Sequence, residues 1–468
     1  MSKKKVLVIG GTGIAGQFIT DYLLHYHDIC ELFIASRGIH KISEKKVKFI
    51  KMDIHDTQNI ESVIKQFDII ILALGPFSCV GTDIYTICLR NHVICVDIND
   101  DYGHSGRVLE IKNENITNFR GTIFTGMGLC PGLTTFMLEY AAEQLKKTVL
   151  EAELRIYFGA GVVSGTASII NMFEGFKDDL MLLSEREIRR IKPTKYHSDR
   201  TFTFDRFHSN MPLIFFSSPE IRTIQRASRF EELQNFDCAF HLQNLPMGIV
   251  PLLRKSSFIR KLICKMVNKQ QGQLEKNEKN EKSVIVCTYV RNQNSIVKCL
   301  LHSDSSFRLT GVFCAVIVLS IIKGCIPIMP GIFTFEDINI NLHMLNEILK
   351  NNNITIQLND TILSNLSKLT DIINFLKGYS RQLLSYTEKV YDETTDYDEY
   401  MDSLMSEADF YKFQLDIFVK LQRKMAFMMQ YAKVRLNNYL LVLSIVNATL
   451  NKEYPELEKE VDEVEYNK

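Results

Sequence analysis

The chain has no tryptophan, no excess of either charge, no C-x-x-C pair and no apolar run of membrane-spanning length. Each lack excludes something. Lys and Arg total 55 against 55 Asp and Glu, so the formal charge is zero. A general nucleic-acid or polyanion binder would show a basic excess, so no nucleic-acid partner is expected. The 11 cysteines are odd in number and scattered. That pattern suits reduced, buried thiols better than a disulfide framework, and no metal site is expected. The longest apolar runs are Val312–Ile322 and Tyr439–Val446. Both fall short of the ~18 residues that a spanning helix needs. Met1–Lys5 leads straight into the strand-like Val6–Ile9 with no signal-peptide pattern, so a cytoplasmic protein is expected. The absence of tryptophan leaves a dark background for a fluorescent ligand.

What is present is ample for a globular protein. The chain has 468 residues, 46% of them hydrophobic and 24% charged, so disorder throughout is excluded. At roughly 100–200 residues per domain, two to four domains are expected.

Residues 1–128 alternate strand and helix patterns. Val6–Ile9, Leu32–Ala35, Val47–Ile50, Ile69–Leu74, Val93–Val96 and Thr122–Thr125 read as strands. Ile14–Leu24, Asn59–Gln66 and Thr82–Asn91 read as helices between them. Short continuous apolar runs suit strands buried on both faces. The fold class expected is α/β, with an N-terminal Rossmann doubly wound parallel sheet.

Gly11-Thr12-Gly13-Ile14-Ala15-Gly16 is a G-x-G-x-x-G placed after a strand and opening a helix. Gly11 is expected to make the tight turn, Gly13 to admit a pyrophosphate, and Gly16 to let helix and strand pack closely. The helix N-terminus offers free N–H groups to the phosphates. The second strand ends Ala35-Ser36-Arg37, without the carboxylate that would bind a 2′-hydroxyl. A hydroxyl and a guanidinium suit a 2′-phosphate, so NADP is favoured, with NAD as the alternative. Asp53, beside Ile54 at the end of the third strand, can accept from the adenine amino group or cap a helix; Asp56 is the better cap. Gly75 and Pro76 follow the fourth strand, where they would shape a loop beside the nicotinamide ribose. Asp97 and Asn99 end the fifth strand on the same edge. Tyr102 and His104 follow, and are the candidates for acid–base work.

These residues resemble a known family. The run GGTGIAG, IASR, MDIHD and LALGPF looks like the cofactor domain of saccharopine dehydrogenase-like oxidoreductases. GTDIYTICLRNHVICVDIND is similar too, and Gly126–Gly132 resembles the family's glycine–proline exit from that domain. Ser164-Gly165-Thr166-Ala167-Ser168, Ser217-Ser218-Pro219-Glu220 and Arg226-Ala227-Ser228 resemble the branch of trans-acting enoyl reductases, with one glycine missing from the first pattern. Leu309-Thr310 and Pro330–Glu336 look like the family's closing segment, with Phe335 in place of its second proline. The resemblance covers about residues 5–337 and implies the fold, the cofactor and hydride transfer.

Residues 129–337 are expected to form an α+β substrate or dimerisation lobe. Pro131–Leu145 reads as a helix; Leu150–Phe158, Val284–Val290 and Ile296–His302 read as strands of a mixed sheet. Asp97, Ser164 and Thr166 are candidate substrate contacts, although the serine and threonine suit helix caps as well. Residues 246–283 are an insertion. Cys238–Leu274 holds no Asp or Glu, and its lysines and arginines interleave with apolar residues at helical spacing. Such a helix over 248–270 can lie on an anionic membrane, or pack on the protein with its lysines in water; packing is favoured. Residues 338–468 read as an all-α extension, a long amphipathic helix from Phe410 to Leu450 following the acidic stretch Asp392–Asp409. It can dock on the body or pair in a homodimer.

The function expected is NADP-dependent oxidoreduction of a small-molecule substrate bearing C=O, C=N or C=C. The alternative is an inactive NADP-binding sensor or scaffold with a helical interaction tail.

Overall fold

The computed structural model describes residues 3–38, 47–54, 56–111, 119–145, 148–159, 162, 179–192, 201–205, 207–243, 282–293 and 295–362. All fall within one compact unit, Met1–Leu363. Ser164, Thr166, nearly all of the basic insertion and the helical extension beyond 362 lie outside the described residues.

The first sheet is built from strands that the sequence announces. β1 (Lys4–Ile9), β2 (Cys30–Ser36), β3 (Lys48–Lys51), β4 (Ile69–Leu72), β5 (Ile94–Asp97) and β6 (Thr122–Phe124) all run parallel. Their order is β6-β5-β4-β1-β2-β3. The order reverses beside β1, and ligands of such sheets collect at that switch point, outside the carboxyl ends of the strands. Val6–Ile9 and Ile69–Leu72 are buried on both faces, which explains their unbroken apolar runs. Helices α1 (Ile14–Leu24), α2 (Thr57–Ile64), α3 (Asp83–Arg90) and α4 (Tyr102–Leu109) connect the strands.

Two later segments complete this sheet. β16 (Gly331–Phe333) pairs parallel with β6 and becomes the sheet edge. The helix Ser306–Ile322 packs on α1. Their contact is close because residue 311 is glycine: a Cβ there would stand 2.5 Å from Phe18 Cβ and 3.0 Å from Ala15 O. One hydrophobic core therefore runs from Val6, Ile19 and Phe124 through Phe313 to Phe136 and Val286.

The second lobe is the mixed sheet expected. β7 (Glu151–Phe158) pairs parallel with β13 (Asn235–Leu242) and antiparallel with β14 (Val284–Arg291). β15 (Ser295–Ser303) and β17 (Ile356–Ile362) extend one side; β8 (Leu180–Ser184), β9 (Glu187–Ile191) and β12 (Ile214–Phe216) lie on the other. Helix α5 (Leu133–Leu145) covers one face. A hairpin of β10 (Thr201–Phe202) and β11 (Met211–Pro212) meets the other, where Phe204 packs with Tyr157 and Cys287.

Two boundaries differ from expectation. The lobe does not stop at 337, because the helix Leu342–Asn351 and β17 belong to it. β17 reads IQLNDTI, and three consecutive polar residues hide the strand from a hydrophobic count. Residues 331–333 are not a plain end of the second lobe either, since they return to the first sheet. Among the described residues, no helix is long and apolar enough to cross a membrane.

Candidate cofactor and substrate site

The tight turn spans Gly10–Gly13, with Gly11 and Thr12 at its centre and Gly13 N–H donating to Gly10 O. Gly10 has φ +85°, and a Cβ on it would stand 2.2 Å from the Ala73 carbonyl oxygen. Gly10 thus leads into the turn in the left-handed region, which only glycine adopts at no cost. Gly11 instead faces β2, where a Cβ would meet Ile34 Cγ2 at 2.7 Å. Gly16 lies against the turn: its Cβ would meet Gly10 O at 2.2 Å, so helix and strand do approach closely there. Gly13 N–H donates to Gly10 O at 2.9 Å, and Gln17 N–H to Gly13 O at 2.8 Å. The N–H groups of Ile14, Ala15 and Gly16 come before the first ladder bond and have no intrahelical acceptor. No acidic residue occupies this first turn, and Gly13 caps it without a side chain. The Thr12 carbonyl accepts from Gln17 Nε2 at 3.0 Å.

The other cofactor candidates gather on the same edge, because each follows a parallel strand on one side or the other of β1: β4, β2, and β3 beyond β2. Ser36 ends β2, and its hydroxyl donates to Gly38 O at 3.0 Å. Arg37 beside it is exposed. Met52 N–H donates to Ser36 O at 3.0 Å, which brings exposed Asp53 and half-buried Ile54 alongside. Asp56 takes the N-cap position of α2, although its side chain makes no capping bond. Gly75 and Pro76 follow β4, and Gly10 lies against Ala73 and Leu74 of that segment.

Asp97, Asn99 and His104 face inward, not the open edge. All three are fully buried. Asp97 Oδ1 accepts from Asn99 N–H at 2.9 Å and from Gly126 N–H at 2.7 Å. The carboxylate thus ties the loop after β5 to the loop after β6. Asn99 Nδ2 lies 3.0 Å from His104 Nδ1, and Phe77 and Tyr85 pack on the imidazole. Burial holds the His104 pKa below the usual histidine range, against the pull of Asp97. Enclosed by Asn99, Phe77 and Tyr85, this histidine serves the interior, and its geometry does not suit it to external acid–base work.

Tyr102 opens α4 and is half-buried. Its hydroxyl is buried without a hydrogen-bond partner among the described residues. Burial raises its pKa, and Arg222 opposes that shift. Arg222 lies across the ring, its Cζ 4.0 Å from the centroid. Gly106 makes the room: a Cβ there would stand 3.1 Å from Arg222 Cζ. Arg222 is exposed and forms no ion pair among the described residues.

Sequence reasoning passed over a polar cluster where the two lobes meet. Glu220 and Ser218 are fully buried; Cys130, in the loop after β6, is half-buried. Thr134 Oγ1 meets Glu220 Oε1, and Ser218 Oγ meets Glu220 Oε2. Cys130 Sγ lies 3.4 Å from Ser218 Oγ and 3.8 Å from Glu220 Oε2. Burial pushes up both the Glu220 carboxyl and the Cys130 thiol. Ser217–Glu220 had stood out through family resemblance, but no local pattern marks a glutamate whose burial comes from segments distant in sequence.

Residues 6–119 match the family described as saccharopine dehydrogenase NADP binding domain. Among solved structures, saccharopine dehydrogenase (L-Glu forming) from Saccharomyces cerevisiae aligns over 76% of this chain and 100% of its own, at 12% identity and a TM-score of 0.54. A mutant meso-dapdh with DAP from Clostridium tetani E88 aligns over 75% of this chain and 99% of its own, at 18% identity and a TM-score of 0.38. An engineered D-amino acid dehydrogenase bound to NADP+ covers 74% and 98%, at 13% identity and a TM-score of 0.39. Residues 6–119 are therefore similar to the saccharopine dehydrogenase NADP binding domain, and the fold over three quarters of the chain is similar to that of saccharopine dehydrogenase.

Proposed function

We propose that the chain is an NADPH-dependent oxidoreductase acting on a small substrate that carries C=O, C=N or C=C. The observation that carries this reading is the convergence of four segments, after β1, β2, β3 and β4, on one sheet edge beside the second lobe. The residues suit the cofactor. Gly10 and Gly16 bring the turn into contact with the helix, leaving the N–H groups of Ile14–Gly16 for a pyrophosphate. Ser36 and Arg37 would hold the 2′-phosphate. Asp53 would accept from the adenine amino group, with Ile54 beside it, and Gly75 and Pro76 would border the nicotinamide ribose. Bound NADPH supplies the hydride.

The chain's own part is binding, orientation and a proton. Tyr102 has a hydroxyl with no hydrogen-bond partner among the described residues, held protonated, and so can hydrogen-bond a substrate heteroatom and orient it. Arg222, exposed and without an ion pair among the described residues, presents its guanidinium for an anionic substrate group. Asp97 acts through the loops it ties together.

The test is direct. NADPH emission is titrated with the full chain, and oxidation of bound NADPH is then followed against a panel of carbonyl, imine and enoyl compounds. Binding with turnover supports the proposal. Binding without turnover on any of them favours the sensor or scaffold reading. Absence of binding to both NADPH and NADH refutes both.

A further inference from the structure

The hydroxyl protons at the lobe junction can be counted. Thr134 has one hydroxyl hydrogen, yet its Oγ1 contacts two acceptor-type oxygens, Leu129 O at 3.0 Å and Glu220 Oε1. Leu129 O already accepts from Thr134 N–H at 3.0 Å, but if Glu220 were ionised the hydroxyl hydrogen would turn to the carboxylate and leave Thr134 Oγ1 and Leu129 O facing each other at 3.0 Å with no hydrogen between them. If Glu220 is the neutral acid, every group has one role. Glu220 Oε1–H donates to Thr134 Oγ1, and Thr134 donates to Leu129 O. On the other side, Cys130 S–H donates to Ser218 Oγ, and Ser218 donates to Glu220 Oε2. In this arrangement each thiol, hydroxyl and carboxyl hydrogen has one acceptor, with Cys130 Sγ also within 3.8 Å of Glu220 Oε2. Glu220 is fully buried and forms no ion pair among the described residues. An uncompensated carboxylate in such a place is costly.

The array also has a direction. Glu220 and Ser218 are fully buried, Cys130 is half-buried, and exposed Asp100 acts on Cys130. Cys130 lies in the loop following β6, at the carboxyl edge of the cofactor sheet. That loop is fixed in place: Asp97 holds Gly126 N–H, and Gly128 N–H donates to Pro131 O at 3.1 Å.

We propose that Glu220, Ser218 and Cys130 form a proton relay that carries a stored proton from the lobe junction to the substrate at the sheet edge. The relay rests on the oxidoreductase reading and narrows the substrate to a C=O or C=N compound. As hydride reaches the substrate carbon, the π electron pair moves onto the heteroatom, which takes the Cys130 thiol proton. The Ser218 hydroxyl turns from Oε2 to Sγ and reprotonates the thiolate. Glu220 turns its proton to Oε2 and gives it to the Ser218 oxygen. The residual carboxylate recovers a proton from water before the next turnover. Cys130 is the group that would touch substrate; Ser218 and Glu220 act through it.

The first readout needs neither nucleotide nor substrate. Infrared spectra of the full chain near neutral pH are compared between the parent and Glu220→Gln. The expected result is loss of one protonated-carboxyl C=O band. Spectra with no such loss mean an ionised Glu220 and overturn the relay. Should Glu220→Gln not fold, Ser218→Ala removes the donor to Oε2. The C=O band should then move to higher frequency, and the Cys130 S–H stretch, assigned by its loss in Cys130→Ala, should shift; unchanged bands overturn the relay.

The second readout is turnover of whichever carbonyl or imine the parent reduces. Ser218→Ala and Glu220→Gln should lower kcat about 100-fold, a common size for general-acid effects. KM and NADPH binding should stay near parent values, and an unchanged kcat overturns the relay. If the parent binds no NADPH, or reduces only enoyl compounds, the proton's proposed task fails. The infrared comparison still decides separately whether Glu220 stores a proton.

Discussion

Gly10 and Gly13 stand three residues apart in the same turn, and alanine should act on them in opposite ways. At Gly10 two penalties combine. A φ of +85° disfavours any side chain, and the left-handed region costs an L residue about 1–2 kcal/mol. The new Cβ would also lie 2.2 Å from Ala73 O, which forces apart the half-buried segments that follow β1 and β4 beside the core. Overpacking of that kind costs about 1–3 kcal/mol. Gly10→Ala should therefore lose about 2–5 kcal/mol of stability, a large share of the ~5–15 kcal/mol typical of a folded protein. Gly13 has φ −74°, and its Cβ would meet Gly10 O at 3.2 Å, which is tight but adjustable. Gly13→Ala should stay within about 1 kcal/mol of the parent. Its methyl group would nevertheless stand where the phosphates approach, so NADPH binding should weaken at least tenfold, or about 1.4 kcal/mol. Urea unfolding followed by circular dichroism measures the first quantity, and NADPH emission the second. A Gly10→Ala protein as stable as the parent would refute the steric account of the turn. A Gly13→Ala protein that binds NADPH normally would place the phosphates elsewhere.

Other consequences can be checked as directly. Arg37→Ala should weaken NADPH and leave NADH unaffected; equal loss of both would remove the 2′-phosphate role of Arg37. Burial and the nearby Glu336 push the Glu139 carboxyl up to about 8, and burial pushes Glu336 up to about 7. Unfolded glutamates titrate near ~4.3. The fold thus holds extra protons, and the stability they contribute is full below that value and is lost as pH rises through 7 to 8. Urea midpoints should fall from pH ~6 to pH ~9 in the parent and fall less in Glu139→Gln; a parent midpoint independent of pH would contradict the burial argument. Among the described cysteines, Cys79 and Cys325 are exposed and should react first with iodoacetamide near neutral pH. Cys130 should lag behind both, since its thiol is pushed up by burial; mass mapping that finds Cys130 labelled first would place it in a different environment.

The first sheet was legible because its strands are buried on both faces. Runs such as Ile69–Leu72 have no polar alternation to confuse with anything else. The left-handed conformation of Gly10 was not, since it lies one residue before the motif and only the approach of Ala73 reveals the need for glycine there. The second lobe was partly legible. β7, β14 and β15 showed as strands, whereas β13 and β17 mix polar residues into their runs. Tyr102 and His104 were placed on the correct edge by sequence position. Their roles separate only in three dimensions, where Asn99 and Phe77 enclose the histidine and Arg222 covers the tyrosine. Glu220 was out of reach, because Thr134 and Cys130 come to it from across the lobe junction.

The return of β16 to the first sheet bears on how the protein emerges from the ribosome. β6 ends at Phe124 and its edge partner begins at Gly331, about two hundred residues later in synthesis. The face of α1 that meets Gly311 also waits through nearly all of that interval. A nascent NADP-binding domain would carry an unpaired β6 edge and a bare helix face, both of which invite wrong partners. Excising residues 1–128 should reproduce that condition permanently. A soluble cofactor-binding fragment would have to restore the segment 306–333 by permutation or as a separate peptide.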